Sequence, residues 1–289
     1  VIQWGAGGVT DILTRAVTDL ASKNLANKIK MQNITGKSGV NGLEYVYNKN
    51  ADGYTLLLGA ENPALYDKLN LSNLTYENFE CVYLIGDVTA GIIVNPSSKY
   101  STFRELIEDA KSKPGRIKLA ATGKGSVGWV VNSFIKGITG AEFNLIDYDS
   151  NATAEEAVVN GECDCSVCLL QQGIEAHKQG KIKYISLIAI DKNLELPEVR
   201  PVVDEYPDFF MYLPWGTFYG IFAKKGTNPE YLKILGDAYT QAGNNKEFRD
   251  LLKKYNVNYL GYTGKQAAGY ISNWRGNTVD ALITSGALD

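Results

Sequence analysis

Histidine is almost absent: one residue in 289, His177, carries it. It lies in the polar stretch Glu175 to Gln179 with neither a nucleophile nor an acid placed beside it, so a His-centred catalytic dyad has no support and a surface histidine is expected. A strong excess of charge of either sign is also missing. A net charge of −3 leaves no basic stripe to neutralise phosphates, which argues against nucleic acid and means that any bound anion must be held locally. No stretch approaches the roughly 18 uninterrupted apolar residues that a membrane helix needs. No low-complexity linker interrupts the chain, although 289 residues exceed the usual single-domain length and suggest two lobes joined by crossovers within their sheets. The chain opens at Val1 on an apolar run without an initiator Met, charged n-region or cleavage site, so an upstream segment is expected to have been removed.

What is present is a repeated strand, glycine turn and helix. Val1 to Trp4 reads as a strand that breaks into Gly5-Ala6-Gly7-Gly8, and apolar residues at Ile12, Leu13, Ala16, Val17 and Leu20 trace the helix that follows. Ile29 to Gln32 and Tyr54 to Leu58 read as further strands, so the first hundred residues alternate β and α and predict a mostly parallel sheet. The pattern returns at Ile117 to Ala121, with the turn Thr122-Gly123-Lys124-Gly125-Ser126 and a helix through Trp129, Val130, Phe134 and Ile135. Leu145 to Tyr148, Cys163 to Leu169, Tyr184 to Ile190 and Tyr219 to Ala223 are strand-like, and the segments from Tyr231, Lys246 and Gly264 onward are helical.

Glycine turns between strand and helix commonly hold anions, because the first helical N–H groups lack partners. Three named versions fail here. Gly5 and Gly7 are followed by Thr10 where a dinucleotide fingerprint needs its third glycine, and the second strand ends in Gln32-Asn33 with no acid. Gly123-Lys124 is followed by Gly125, not the Ser or Thr of a phosphate-binding loop, and Lys124 leads Ser126 where a hydrolase elbow needs glycine. Two outcomes stay open: a pair of helix N-termini that grip a carboxylate, or two tight β-to-α connections.

Several motifs in order carry a resemblance. Ile2-Gln3-Trp4-Gly5-Ala6-Gly7-Gly8-Val9-Thr10-Asp11-Ile12-Leu13-Thr14-Arg15, then Gln32-Asn33-Ile34-Thr35-Gly36-Lys37-Ser38-Gly39, then Asp52-Gly53-Tyr54-Thr55-Leu56-Leu57 resemble the Bug-type solute-binding proteins of tripartite tricarboxylate transporters. Ala121 to Ser126, Asp147-Tyr148, Leu196-Pro197-Glu198-Val199 and Lys225-Gly226-Thr227-Asn228-Pro229 are similar to later motifs of that family, so the likeness spans nearly the whole chain. It implies an α/β, periplasmic-binding-protein-like fold of type II, with two Rossmann-like lobes, a hinge and a ligand cleft between them. The lobes implied are residues 1–95 with 223–289, and 96–222. It implies export to the periplasm or another extracytoplasmic space, a lipid anchor if the source is Gram-positive, and a monomer delivering its ligand to a permease of one small and one large integral subunit.

Carried over by position, the ligand loops are Ala6, Gly7, Gly8 and Thr10 from one lobe and Thr122, Gly123, Lys124, Gly125 and Ser126 from the other. Gly59, Glu61 and Asn62, and Tyr148, Ser150, Asn151 and Ala152, complete the cleft. Trp4 is expected as an apolar wall or a core residue; Asp11, carried over with the ligand-binding residues, reads as a carboxylate serving the helix N-terminus, with a metal or catalytic carboxylate as the alternative. Glu61 facing the ligand would attract an amino group; facing solvent it would do nothing. Departures bear on ligand identity: Gln3 stands where many relatives have proline, and Asp149, Ser150 and Asn151 replace a common Lys-Gly-Ser stretch. Cys163, Cys165 and Cys168 read as buried thiols, with a disulfide involving Cys81 or a weakly specified zinc site as alternatives. No cofactor, metal or catalytic residue is expected. The leading function is capture of a small carboxylate: a dicarboxylate, an acidic amino acid or an aromatic acid. A sensor subunit for a signalling partner, or a small-molecule enzyme using the same cleft, are the alternatives.

Overall fold

The structure, a computed structural model, describes residues 1–288. It forms two compact units. Unit 1 comprises Val1–Asp87 and Thr217–Arg275; unit 2 comprises Val88–Gly216 and the C-terminal residues from Gly276. The chain therefore passes between units three times, at Asp87–Val88, Gly216–Thr217 and Arg275–Gly276. These passages differ from the expected positions near 95 and 222, and the third has no counterpart in the sequence reading.

Unit 1 contains α1 (Val9–Ala21), α2 (Val40–Tyr47), β1 (Leu56–Ala60), most of β2 (Phe79–Val88), β8 (Thr217–Lys224), α7 (Pro229–Gly243), α8 (Lys246–Lys254), β9 (Asn258–Tyr262) and the first half of α9 (Gly264–Thr284). Its sheet has the order β1-β8-β2-β9, with β1 antiparallel to β8 and β2 antiparallel to β9. The expected parallel sheet is reduced to single bridges: Ile2 pairs in parallel with Asn33 and with Leu58. Val1 to Trp4 and Ile29 to Gln32 are not strands, because pairing stops after one residue and Ile29 to Gln32 lies half-exposed to exposed. The sheet closes instead around the returning strand β8, which is buried along nearly all its length. On one face Leu13, Val17 and Ala21 of α1 are fully buried, and the Thr18 and Tyr239 hydroxyls meet at 3.0 Å where α1 packs on α7. Burying Leu13 and Val17 contributes roughly 1.5–3 kcal/mol each.

Unit 2 contains β3 (Ala90–Val94), α3 (Phe103–Ser112), β4 (Lys118–Ala121), α4 (Val127–Thr139), β5 (Asn144–Asp147), α5 (Asn151–Val159), β6 (Cys165–Leu169), α6 (Leu170–Lys178), β7 (Lys183–Leu187) and the end of α9. The sheet order is β5-β4-β6-β3-β7; β5, β4 and β6 run parallel, and β3 runs antiparallel to β6 and β7. Phe134 of α4 stacks on Tyr212 at 5.0 Å and meets Trp215 edge-on at 5.1 Å. Trp215 Nε1 donates to Thr278 Oγ1 at 2.9 Å, which fixes the end of α9 into this core.

All four cysteines are free thiols, and Cys163, Cys165 and Cys168 are buried. Burial pushes the Cys81, Cys165 and Cys168 thiols well above their ordinary range, and the Glu155 carboxylate that accepts the Cys168 thiol proton adds to it. Such thiols are poor nucleophiles. The native chain is expected to take up almost no thiol reagent until it is denatured, and its melting temperature to be the same with and without reductant. Rapid labelling of the native fold would show that these strands open. His177 is half-buried and bonded at both ring nitrogens: Nδ1 accepts from the Tyr184 amide at 3.2 Å and Nε2 lies 3.2 Å from Glu198 Oε1.

Candidate functional site

In unit 1 the turn before α1 is exposed from Gly5 to Gly8, and α1 starts from Gly8, which has no side chain to cap the first amides. Gly7 sits at φ +83°, a left-handed conformation that side-chain-bearing residues rarely adopt. The turn is held from below by Asp11. Its carboxylate accepts from the Gly7 amide at 3.0 Å, from Arg15 Nε at 2.8 Å and from Asn33 Nδ2 at 2.8 Å. Asn33 Nδ2 also donates to the Trp4 carbonyl at 2.8 Å, and Arg15 Nη2 to Asn33 Oδ1 at 2.6 Å, so the network clamps both ends of the turn. Burial by itself raises the Asp11 carboxyl, but the hydrogen bonds from Asn33, Gly7 and Arg15 outweigh it and hold the group below the usual carboxylate range. Asp11 is buried and its oxygens are occupied; it positions the turn.

Gly59 is buried near the end of β1, and Glu61 and Asn62 follow it, half-buried. The parallel bridge between Ile2 and Leu58 places the Trp4–Gly8 turn and Glu61–Asn62 at the same ends of adjacent segments. Glu61 Oε1 accepts from the Thr217 hydroxyl at 3.4 Å. Trp4 is half-buried, with its Nε1 buried and without an acceptor.

In unit 2 the corresponding turn is Thr122 to Ser126, where Gly123 and Gly125 have φ of +84° and +85°. Ser126 caps α4, its hydroxyl accepting from the Trp129 amide at 3.3 Å. The Gly123 amide donates to Asp147 Oδ1 at 3.2 Å. Lys124 is exposed, its ammonium 6.0 Å from the centre of the Trp129 ring. The second predicted loop lies beside this turn: the Tyr148 amide donates to the Ala121 carbonyl at 2.8 Å and Thr122 Oγ1 to Asn151 Oδ1 at 3.3 Å. Ser150 caps α5 through a capping box with Thr153, and Asn151 and Ala152 form its exposed first turn.

The predicted residues thus assemble within each unit into one anion-compatible turn and one adjoining loop. Sequence reasoning missed Arg15, Asn33 and Thr217 as site residues. Arg15 carried a signal, the i,i+4 spacing from Asp11; Asn33 and Thr217 reach the site only through tertiary placement. No helix among the described residues is long and apolar enough to cross a membrane.

The model of a family described as the tripartite tricarboxylate transporter family receptor matches residues 13–285. The chain is 26% identical over 278 residues to Protein BugT of Bordetella pertussis, covering 94% of this chain and 84% of that protein. In fold it is similar to a TctC solute-binding protein from Polaromonas, with a TM-score of 0.84, 23% identity and coverage of 97% and 96% of the two chains. It is also similar to an R. palustris protein solved with adipate, with a TM-score of 0.82, 18% identity and coverage of 99% and 96%. The match over most of its length makes this chain a member of the tripartite tricarboxylate transporter receptor family.

Proposed function

We propose that this chain is an exported, extracytoplasmic solute-binding receptor. It captures a small carboxylate, of the dicarboxylate, acidic amino acid or aromatic acid class, and delivers it as a monomer to a permease of one small and one large integral subunit. The observation that carries the reading is the α1 turn: exposed, uncapped, bent at Gly7 and anchored by a carboxylate that leaves the helix amides to the ligand. Backbone amides at a helix N-terminus suit a carboxylate, because each oxygen accepts more than one hydrogen bond and no full positive charge is buried. The turn before α4 supplies a second set of such amides within its own unit. The adipate found with a relative of the same fold is consistent with that class. The role is capture without turnover.

Titration calorimetry and thermal shift against dicarboxylates, acidic amino acids and aromatic acids should reveal one class that binds one to one. At a concentration about 100 times Kd, such a ligand stabilises the chain by about 2.7 kcal/mol. Gly7→Val and Gly123→Val force a branched side chain into left-handed backbone, and each is expected to cost the ligand at least about tenfold in affinity, since about 1.4 kcal/mol of lost amide contact suffices. A panel giving neither heat nor a shift in melting would end this reading.

A further inference from the structure

Glu61 leaves half of its carboxylate unanswered. Oε1 takes the Thr217 hydroxyl proton, whereas Oε2 is buried without a partner. In the same unit Trp4 Nε1 is a buried donor without an acceptor. The parallel bridge from Ile2 to Leu58 brings both residues out at the same ends of neighbouring segments, the edge at which α/β sheets collect ligands.

Among the described residues, the groups around Glu61 offer no compensating cation. Tyr66 and Tyr76, which feel its charge, commit their hydroxyl protons to the carbonyls of Ser38 and Ala60. Tyr270 of α9 also feels it, and donates to Asp87 Oδ2 at 2.7 Å. Arg275, the cation further along α9, is spent on both oxygens of Asp67, at 2.9 and 2.6 Å. From β8 only the neutral Thr217 reaches the carboxylate. A buried carboxylate without a cation either keeps its proton or waits for a positive group from outside.

Resting on the reading of this chain as a carboxylate receptor, we propose that Glu61 is a specificity residue that accepts the ammonium group of an acidic amino acid whose carboxylates are held by the helix amides. An unanswered acceptor and an unanswered donor at the same ends of neighbouring segments are complementary to a zwitterion. A plain dicarboxylate would need Glu61 to stay protonated and donate. Burial pushes the Glu61 carboxyl up to about 7, opposed by its own backbone amide and the Thr217 hydroxyl, so the two ligand types have opposite pH dependences. Ammonium binding strengthens as pH rises and Glu61 ionises; dicarboxylate binding weakens over the same range.

The test is calorimetry on the whole chain with L-glutamate and L-aspartate against glutarate and succinate, at about pH 6 and about pH 8, for the wild type and Glu61→Gln. A charge-assisted hydrogen bond predicts amino acids bound roughly 10- to 100-fold more tightly than their des-amino counterparts at the higher pH. Their affinity should rise roughly tenfold from the lower pH to the higher, as a group titrating near 7 requires. Glu61→Gln should erase both the preference and the pH step; if that variant does not fold, the wild-type pH contrast decides. Equal or tighter binding of the des-amino acids, or tightening toward low pH, overturns the proposal and leaves the carboxylate reading standing. If none of the four binds but another carboxylate does, the proposal alone falls. If no carboxylate binds at all, both fall.

Discussion

Replacing Asp11 with alanine is expected to lower stability by about 2–4 kcal/mol and to remove measurable ligand binding, the change showing in chemical denaturation and in calorimetry alike. The Gly7 amide, Arg15 and Asn33 all lose their shared acceptor, and a buried donor left without one costs the full desolvation of that group. Arg15 is a third exposed, so its ion pair is partly screened and supplies the smaller share. Gly7 lies in the exposed turn, where water can replace the lost acceptor, so most of the loss comes from the half-buried Asn33, which also sets the path of the turn. Asp11→Asn should recover part of the stability, since one oxygen remains, but its amide would confront the donors it has to serve. Because the folded carboxyl is held below its unfolded value of about 3.9, its contribution is complete above that pH and disappears as pH falls through the depressed folded value. The gap between wild type and Asp11→Ala should therefore be constant near neutrality and close in strong acid. Matching denaturation curves near neutrality would mean that Arg15 and Asn33 hold the turn without it.

Trp274→Ala is expected to cost about 3–5 kcal/mol, the usual range for emptying a large aromatic site. The indole is fully buried in unit 1 and meets Phe218 of β8 edge-on at 5.5 Å. Phe218 is itself fully buried and also touches Tyr270 edge-on at 6.0 Å, so the cavity would open under the centre of the sheet. A fall in melting temperature on the order of 10 °C in scanning calorimetry corresponds to this loss for a chain of this size. A change under about 1 kcal/mol would show that α9 is held mainly by the Arg275–Asp67 ion pair one residue further on.

The parts of the fold visible in the sequence were those with their own local punctuation. The strand before Gly123 and the helix after Ser126 stand out because an apolar run, two glycines and a capping serine come in order. The stretch from Phe79 to Val94 is opaque for the opposite reason: its turn-type pair Gly86-Asp87 lies inside β2, and only Thr89 separates β2 from the fully buried β3, so neither alternation nor a turn residue marks the boundary. Ile2 illustrates a third case, where an apolar run that reads as a strand makes only single bridges because its neighbours diverge after one residue. In the candidate site, the glycine turns and their loops could be found by motif. The oxygen of Glu61 left without a partner, and the reach of Asn33 to both Trp4 and Asp11, depend on residues far apart in sequence, and no spacing rule carries that information.

The three passages of the chain have a consequence for the order in which it can become folded as it emerges amino terminus first. The edge strand β1 pairs with β8, and β2 with β9, so the first sheet cannot be assembled until residues beyond Tyr262 have been made. The stretch from Val88 to Gly216, by contrast, carries all five strands of the second sheet without interruption. As the chain emerges, the sheet of the middle segment can assemble while the first sheet and the end of α9 wait for the last residues, and the amino-terminal segment spends longest with its apolar face uncovered.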